Sequence, residues 1–499
     1  MTPILKIDRH NILIYNLHGN VRDELKQSFS IPVPNFWFAK QQMLKKAQRL
    51  RAAGSIGEGN ACETRAKNWD GTKKFVWDYK THLKLPSGLI NDVLGFFAQR
   101  EIEISIEDSR VFLPHTQGDV ELIGIDLRPY QQQAIQIMAE RGCGILMSAT
   151  GSGKTEIAAG LIKKLNTPKT LFLTHRNLLE TQAKNRLEKR LNIDIGVIGG
   201  KKLDIQQVTI GMVPTLFNHI KKENKETIAY LNSVELVIGD EIHLGTSESW
   251  IKVFKQIKNP NIYGLSGTPF KKSIIDDTEL IATVGSEIFK ISAKWLIDNG
   301  YLTPPILKIV PYRHENTEGI DYEDVIDLHV VRNVARNNLI KQIVEMDKNN
   351  NKQTLVLVNI IEHGEILLEL LKEYKPKLIH SKLKRSLIDS TLTDFINNKE
   401  NLLISTPLLD IGVDIPSLDK LILSGSGKAL TSILQRIGRS LRVSEGKVTS
   451  EVYDIVDLNQ SYLSDHAKER VLIYNDPDQQ FKLELFDIGN YWEQQEKLL

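Results

Sequence analysis

The rhythm of apolar positions changes near Leu127. Up to about residue 115, short strand-like runs at Asn11–Leu17, Phe75–Tyr79 and Ile102–Ile106 mix with helical spacing near Ala39–Arg51 and Leu89–Gln99. Between the first of those helices and Asn68, the stretch AAGSIGEGNACETRAK is polar and glycine-bearing, which predicts an exposed loop. From Leu127 onward, β-rich apolar runs at Gly144–Met147, Thr170–Leu173, Val208–Gly211, Leu236–Gly239 and Ile262–Leu265 alternate with helical stretches. That alternation predicts βαβ units around a parallel sheet. Asn299–Pro305, with its paired prolines, reads as a boundary, and a second βα series follows it. Its strands are predicted at Thr354–Val358, Leu378–His380, Asn401–Ser405, Lys420–Leu423 and Glu451–Ile455. From Asn475 the pattern assigns no element.

Composition narrows the class. The 499 residues, 41% apolar and 25% charged, exclude a disordered, collagenous or coiled-coil chain. At roughly 100–200 residues per domain, about three domains are expected. No apolar run approaches the roughly 18–20 residues that span a bilayer, and the start lacks a signal-peptide layout, so no membrane is expected. Two distant cysteines, Cys62 and Cys143, argue against a disulfide framework or zinc site and for a reducing cytoplasm. The net charge of +2 is unevenly spread. Phe36–Lys84 carries eleven Lys or Arg against four acids, leaving the remainder at −5. A basic module thus precedes a weakly acidic body.

The strongest local chemistry is Ser148-Ala-Thr-Gly-Ser-Gly-Lys-Thr155, entered by an apolar strand and left by the helix-patterned Glu156–Leu165. Glycines at Gly151 and Gly153 let backbone N–H groups of Thr150–Gly153 cradle phosphate oxygens at a helix N-terminus. Lys154 is placed to reach β/γ-phosphates and the Thr155 hydroxyl to ligate Mg²⁺. Ser148 stands where the strict pattern has its first glycine. The partner of such a loop is a carboxylate ending another apolar strand, and Leu236-Val-Ile-Gly-Asp-Glu-Ile-His243 supplies it. Asp240 would hold Mg²⁺ and Glu241 would orient or deprotonate the attacking water. The cofactors expected are therefore ATP and Mg²⁺.

Asp240-Glu-Ile-His243 is a DExH box, and the chain resembles the superfamily 2 helicases and translocases across about residues 125–470. The motifs recur in family order. Arg128-Pro-Tyr-Gln-Gln132 resembles the adenine-reading motif, which implies Arg128, Tyr130 and Gln131 near the base. Thr174-His-Arg-Asn177 and Gly211-Met-Val-Pro-Thr215 resemble strand-binding motifs, implying nucleic-acid contacts at His175, Arg176 and Thr215. Ser266-Gly-Thr-Pro269 resembles the motif that couples hydrolysis to movement, through Ser266 and Thr268 with His243 and Gln435. Ser405–Pro416 resembles the fifth motif, implying a strand contact at Thr406 and ATP contacts at Gly412 and Asp414. Gln435-Arg-Ile-Gly-Arg-Ser-Leu-Arg442 resembles the sixth. There Arg439 and Arg442 would neutralise charge developing on the γ-phosphoryl group, with Arg442 as the arginine finger.

The fold implied is α/β, with two tandem RecA-like parallel-sheet domains behind a small α+β N-terminal DNA-binding domain. Boundaries are expected at 1–115, 116–303, 304–474 and a 475–499 tail. Gln435 stands where DEAD-box RNA helicases usually carry His, and His243 where they carry Asp, while the stretches Gly285–Pro305 and Val452–Leu458 resemble XPB-like and phage UvsW-like helicases. Asn68-Trp-Asp-Gly71 and Leu85–Leu89 resemble the small domain ahead of the motor in the latter, and this chain adds residues at about 40–66. Lys67, Lys73 and Lys74 around Trp69 form a basic, aromatic-bearing candidate DNA surface. The resemblance implies ATP-driven unwinding, branch migration or remodelling of forked DNA in recombination, replication and repair. It implies a monomer, with recombination or replication proteins as partners, in the host cytoplasm if phage-encoded. A DExH-type RNA helicase, a restriction-complex motor and a non-catalytic DNA-binding scaffold are the competing readings.

Overall fold

The computed structural model describes every residue except 1, 150, 176, 201, 259–260, 271–272, 303–305, 316–320, 347–351, 407–417, 426–450, 476–481 and 490–499. The chain forms two compact units, residues 1–147 with 155–290, and residues 148–154 with 291–499.

The first unit begins with a five-stranded sheet. Its strands are β1 (Ile4–Ile7), β2 (Asn11–Tyr15), β5 (Trp77–Asp78), β6 (His82–Pro86) and β7 (Ser105–Asp108), in the order β5-β6-β2-β1-β7. Alternation along β1, β2 and β6 buries Leu5, Ile7, Ile12, Ile14, Leu83 and Leu85 against helix α4 (Ile90–Ala98). A separate ribbon, β3 (Ser30–Pro32) with β4 (Thr72–Lys74), pairs antiparallel after helix α1 (Gly19–Ser28). Between β3 and β4 the chain makes a hairpin of two helices, α2 (Phe36–Ala52) and α3 (Ile56–Asn68).

Helix α3 corrects the loop expected at residues 52–67. The glycines that argued for a loop are what let the two helices touch. A Cβ on Gly59 would sit 2.9 Å from the Ala47 carbonyl oxygen, and Ala47 and Ala66 are buried at the seam. Small residues buried between helices replaced the apolar stripe that periodicity looks for. Of the strand expected at Phe75–Tyr79 only Trp77–Asp78, β5, is strand; β4 ends before it at Lys74, and Phe75 and Val76 are buried between the two. That expected at Ile102–Ile106 lies at β7, three residues further on at its start.

Behind this domain, eight strands form one sheet: β8 (Gly144–Ser148), β9 (Thr170–Thr174), β10 (Ile195–Gly199), β11 (Lys202–Asp204), β12 (Val208–Met212), β13 (Leu236–Asp240), β14 (Asn261–Ser266) and β15 (Glu287–Ile291). The order is β11-β10-β12-β9-β13-β14-β8-β15, and the six strands from β10 to β8 pair parallel. Every residue of β9, β10 and β12 is buried, as expected for parallel strands covered by helices on both faces. Helix α5 (Pro129–Arg141) precedes β8, and α6 (Lys154–Lys164) follows it.

The second unit holds a seven-stranded sheet of β16 (Ile306–Tyr312), β17 (Thr354–Leu357), β18 (Lys377–Ile379), β19 (Leu402–Ser405), β20 (Lys420–Leu423), β21 (Glu451–Asp457) and β22 (Lys482–Leu485). Its order is β18-β19-β17-β20-β21-β16-β22, with parallel pairing throughout. Two strands lie outside the expected series. β16 follows the paired prolines directly, and its Lys308 and Pro311 obscured it. β22 comes from the unassigned C-terminal stretch and adds to the β16 edge, Ile306 opposite Lys482. Among the described residues no helix is long and apolar enough to cross a membrane.

Candidate functional site

Register places three strand ends at one edge of the first parallel sheet. Asp240 of β13 lies opposite Leu265 of β14, and Leu265 opposite Leu146 of β8. The carboxylate pair and Ser266 therefore start from the C-terminal edge, where open parallel sheets bind ligands.

Two glycines of the turn after β8 hold a left-handed backbone. Gly151 and Gly153 have φ of +85° and +82°, a region where a side chain is strained. Ser148 and Ser152 are fully buried and their hydroxyls hydrogen-bond each other, so the serine in the first glycine's place is used structurally. The Lys154 ammonium donates to the Ser148 carbonyl at 3.1 Å, across the loop's own mouth. Lys154 and Thr155 then open α6, whose N-terminal N–H groups and dipole favour an anion.

At the end of β13, the Asp240 carboxylate accepts the Glu241 N–H at 3.0 Å. Glu241 holds a left-handed backbone, φ +52°, unusual for a non-glycine residue and a form of strain that clusters at functional sites. Its carboxylate lies 3.4 Å from His243 Nδ1, which is 3.3 Å from the Ser266 hydroxyl. Ser266 in turn accepts the Thr268 N–H at 3.2 Å. Glu241, His243, Ser266 and Thr268, four sequence candidates from two separate motifs, are thus brought into one chain of contacts. Among the described residues no group of three or more His, Cys, Asp or Glu side chains forms a metal cluster. The oxygen donors Thr155 and Asp240 fit a hard cation that keeps water and substrate phosphates as its other ligands, which is the habit of Mg²⁺.

Ahead of β8, Arg128 caps α5. Its N–H donates to the Gln131 side chain at 2.9 Å, and its guanidinium donates to the Tyr130 hydroxyl at 3.3 Å. Tyr130 and Gln131 are both buried. His175 and Thr215 are half-buried beyond the ends of β9 and β12, and Thr406 is buried beyond the end of β19. Thr150, Arg176, Gly412, Asp414, Gln435, Arg439 and Arg442 lie outside the described residues.

The basic N-terminal candidates separate. Lys67 pairs with Glu63 on α3 at 2.8 Å, and the Trp69 indole donates to the Thr72 carbonyl at 2.7 Å. Lys73 and Lys74 instead line a cleft of about 560 Å³ between the N-terminal domain and the first parallel sheet. Arg9, Trp77, Lys84 and Lys255 line it too. The Lys73 ammonium meets Glu279 at 2.9 Å, and Arg9 donates to the Asn261 side chain at 3.1 Å. Sequence reasoning missed Arg9 and Lys255, because residues this far apart share no spacing.

A largely parallel α/β sheet with a carboxylate-ended strand at its edge in the first unit, and an all-parallel sheet in the second, are the architecture of RecA-like domains. Comparisons with known proteins sharpen that class. The model of the type III restriction enzyme res subunit matches residues 124–271, and that of the helicase conserved C-terminal domain matches residues 335–444. The DNA 3'-5' translocase XPB2 of Sulfurisphaera tokodaii is 24% identical over 391 residues, covering 70% of this chain and 85% of the relative. The structure of S. cerevisiae Dbp5 bound to RNA and ADP BeF3 aligns over 74% of this chain and 96% of its own, at 14% identity and TM-score 0.52. That of T4 UvsW aligns over 97% and 99%, at 18% identity and TM-score 0.44. By these matches the chain resembles superfamily 2 helicases, the XPB-like members among them, and it is an ATP-dependent nucleic-acid helicase, a hydrolase.

Proposed function

We propose that the chain is a DNA translocase that couples ATP hydrolysis to unwinding, branch migration or remodelling of forked and junction DNA. The observation that carries this reading is the basic cleft on the first unit, built jointly by the N-terminal domain and the ATPase sheet. A duplex or displaced strand held there lies on the body that hydrolyses ATP, so a cycle of the motor moves it. The names of archaeal relatives, a DNA 3'-5' translocase and a putative DNA 3'-5' helicase, support DNA as substrate and give the polarity to test.

In this reading the backbone N–H groups of Thr150–Gly153 hold the phosphates and Lys154 neutralises the β/γ-oxygens. Arg128, Tyr130 and Gln131 shape the base site, with Gly412 and Asp414 as further ATP contacts. Thr155 and Asp240 would hold Mg²⁺, which when bound screens phosphate charge. Glu241 orients the attacking water and takes its proton. Arg439 and Arg442 meet the γ-phosphoryl charge. His243, touching both Glu241 and Ser266, passes the state of the water site towards Thr268, with Gln435 completing the coupling. His175, Arg176, Thr215 and Thr406 contact the nucleic acid along the motor, and Lys67, Trp69, Lys73 and Lys74 do so on the N-terminal domain. The protein works as a cytoplasmic monomer alongside recombination or replication proteins.

The test is ATPase and unwinding on matched forks, four-way junctions, linear duplex and single-stranded RNA. Branched DNA is expected to raise hydrolysis most. A motor that ignores DNA and responds to single-stranded RNA overturns the reading in favour of an RNA helicase.

A further inference from the structure

The helical hairpin inserted between β3 and β4 has a role that the motor does not assign. Helix α2 contains no acidic residue and buries a single side chain, Ala47. Its outward surface presents Lys45, Lys46 and Arg49 together with three exposed glutamines. At its start, Trp37 and Phe38 are 66% and 68% exposed. Two adjacent large aromatics held this far into water are a liability unless something covers them. On α3, Glu63 is spent inside the hairpin, paired with Arg51 and Lys67. No ion pair with Lys45, Lys46 or Arg49 occurs among the described residues.

Cations, amides and exposed aromatics with no carboxylate among them match one kind of partner. Lys and Arg meet phosphates, glutamine amides meet phosphates or base edges, and aromatic faces stack on unpaired or terminal bases. The dimensions agree. Trp37 to Arg49 spans about 18 Å of helix at 1.5 Å per residue. That is about five base pairs at 3.4 Å each, and an α-helix fits a major groove of about 12 Å. The base of the hairpin leads through Asp70 and Gly71 into Lys73 and Lys74, which line the cleft.

We propose that the outer face of α2 grips the duplex arm of branched DNA, with Lys45, Lys46 and Arg49 on phosphates and Trp37 and Phe38 stacked on the base pair exposed at the branch. This rests on the reading of the chain as a DNA translocase, and adds which DNA feature the hairpin recognises.

The test is equilibrium binding by the full chain, without nucleotide, to a fork, a blunt duplex and a single strand across a salt series. The variant Lys45→Gln/Lys46→Gln/Arg49→Gln is expected to bind fork and duplex at least about tenfold more weakly, with a salt slope shallower by about 2–3. The variant Trp37→Ala/Phe38→Ala is expected to keep duplex affinity and lose the preference for the fork. Unchanged helicity by circular dichroism shows that each variant folds. The proposal is overturned if the charge variant binds all three ligands as the unaltered chain does, or if the aromatic variant weakens the single strand alone. Absence of DNA-stimulated ATPase in the unaltered chain defeats the translocase reading, while the binding series still decides the role of α2.

Discussion

The two parallel sheets use charge in opposite ways. In the first, the ionisable groups of interest stand at the C-terminal rim, part-exposed, where Asp240, Glu241 and His243 follow a strand of apolar residues. In the second, charges run through the interior. Arg336, fully buried, donates to Asp457 at 3.1 Å and to the Ser424 carbonyl at 2.6 Å. His314 meets the same Asp457 at 2.9 Å. Arg470 pairs with Asp454 at 3.0 Å, and neither side chain is exposed. A rim charge stands where a substrate can reach it. A buried one is committed to its partner, because leaving it alone costs far more than solvent can repair.

Breaking the interior set is expected to have the largest effect. Asp457→Ala strands Arg336 without its carboxylate, at a cost of about 3–5 kcal/mol. Amide exchange along β21 should accelerate accordingly. Replacing both partners by apolar residues, Arg336→Met with Asp457→Leu, should recover most of the loss. If the single variant costs under about 1 kcal/mol, the interior pair is not structural and the contrast between the sheets fails.

The rim variant should do the reverse. Glu241→Gln keeps size and shape, removes the proton acceptor, and is expected to lower ATP turnover by about 10²–10³-fold, or ~3–4 kcal/mol of barrier. Its effect on the unfolding midpoint should stay within ~0.5 kcal/mol. A stability loss comparable to that of Asp457→Ala would show Glu241 to be architecture.

Acid sharpens the comparison, since the second unit also buries histidine. Burial, reinforced by the nearby Arg336 charge, pushes His363 down to about 3. Its neutral ring sits 2.9 Å from the Asn337 amide oxygen. Unfolded, the ring takes a proton below about pH 6.5. Between those values the unfolded state binds more protons, so stability falls with falling pH, by about 1.4 kcal/mol per unit at most. Asp457 shifts the same balance at lower pH. Burial alone would raise it, but Arg336 and His314 outweigh that and hold it below the ordinary carboxylate range. Its contribution is present above about pH 4 and lost as pH falls through the folded value. Exchange protection in the second sheet should therefore decline from about pH 6.5 downward, and His363→Asn should flatten the upper part of that decline.

What the sequence made legible follows from the same contrast. Parallel strands such as Thr170–Thr174 announce themselves because every residue is apolar or small, and the phosphate loop because its chemistry is local. Helix α3 was hidden because its packing runs through Gly59 and Ala66, which look like loop composition. The interior of the second unit was hidden more deeply. Nothing in a string of letters tells Arg336 or Asp457 from a surface charge until partners 121 residues apart meet. The cleft was half legible. Lys73, Lys74 and Trp77 lie in one basic run, whereas Arg9 and Lys255 reach it only through the tertiary fold.

The smallest effect is expected where a partly exposed ion pair bridges two parts of the first unit. Lys73 and Glu279 form an ion pair with side chains 40% and 23% exposed. At that exposure solvent screens most of the attraction, and the pair is worth about 0.2–1 kcal/mol. Glu279→Gln should accordingly leave the unfolding midpoint almost unmoved. Its informative consequence is on binding. Glu279 competes with any phosphate for the Lys73 ammonium, so removing its charge frees a cation in the cleft and deletes a repulsive anion there. DNA affinity should rise by about two- to fivefold at low salt, the gain shrinking as ionic strength screens it. Lys73→Met should move affinity the opposite way by a similar factor. If Glu279→Gln weakens binding, the carboxylate is positioning the cleft instead of guarding it, and Lys73 belongs with the committed charges of the second sheet.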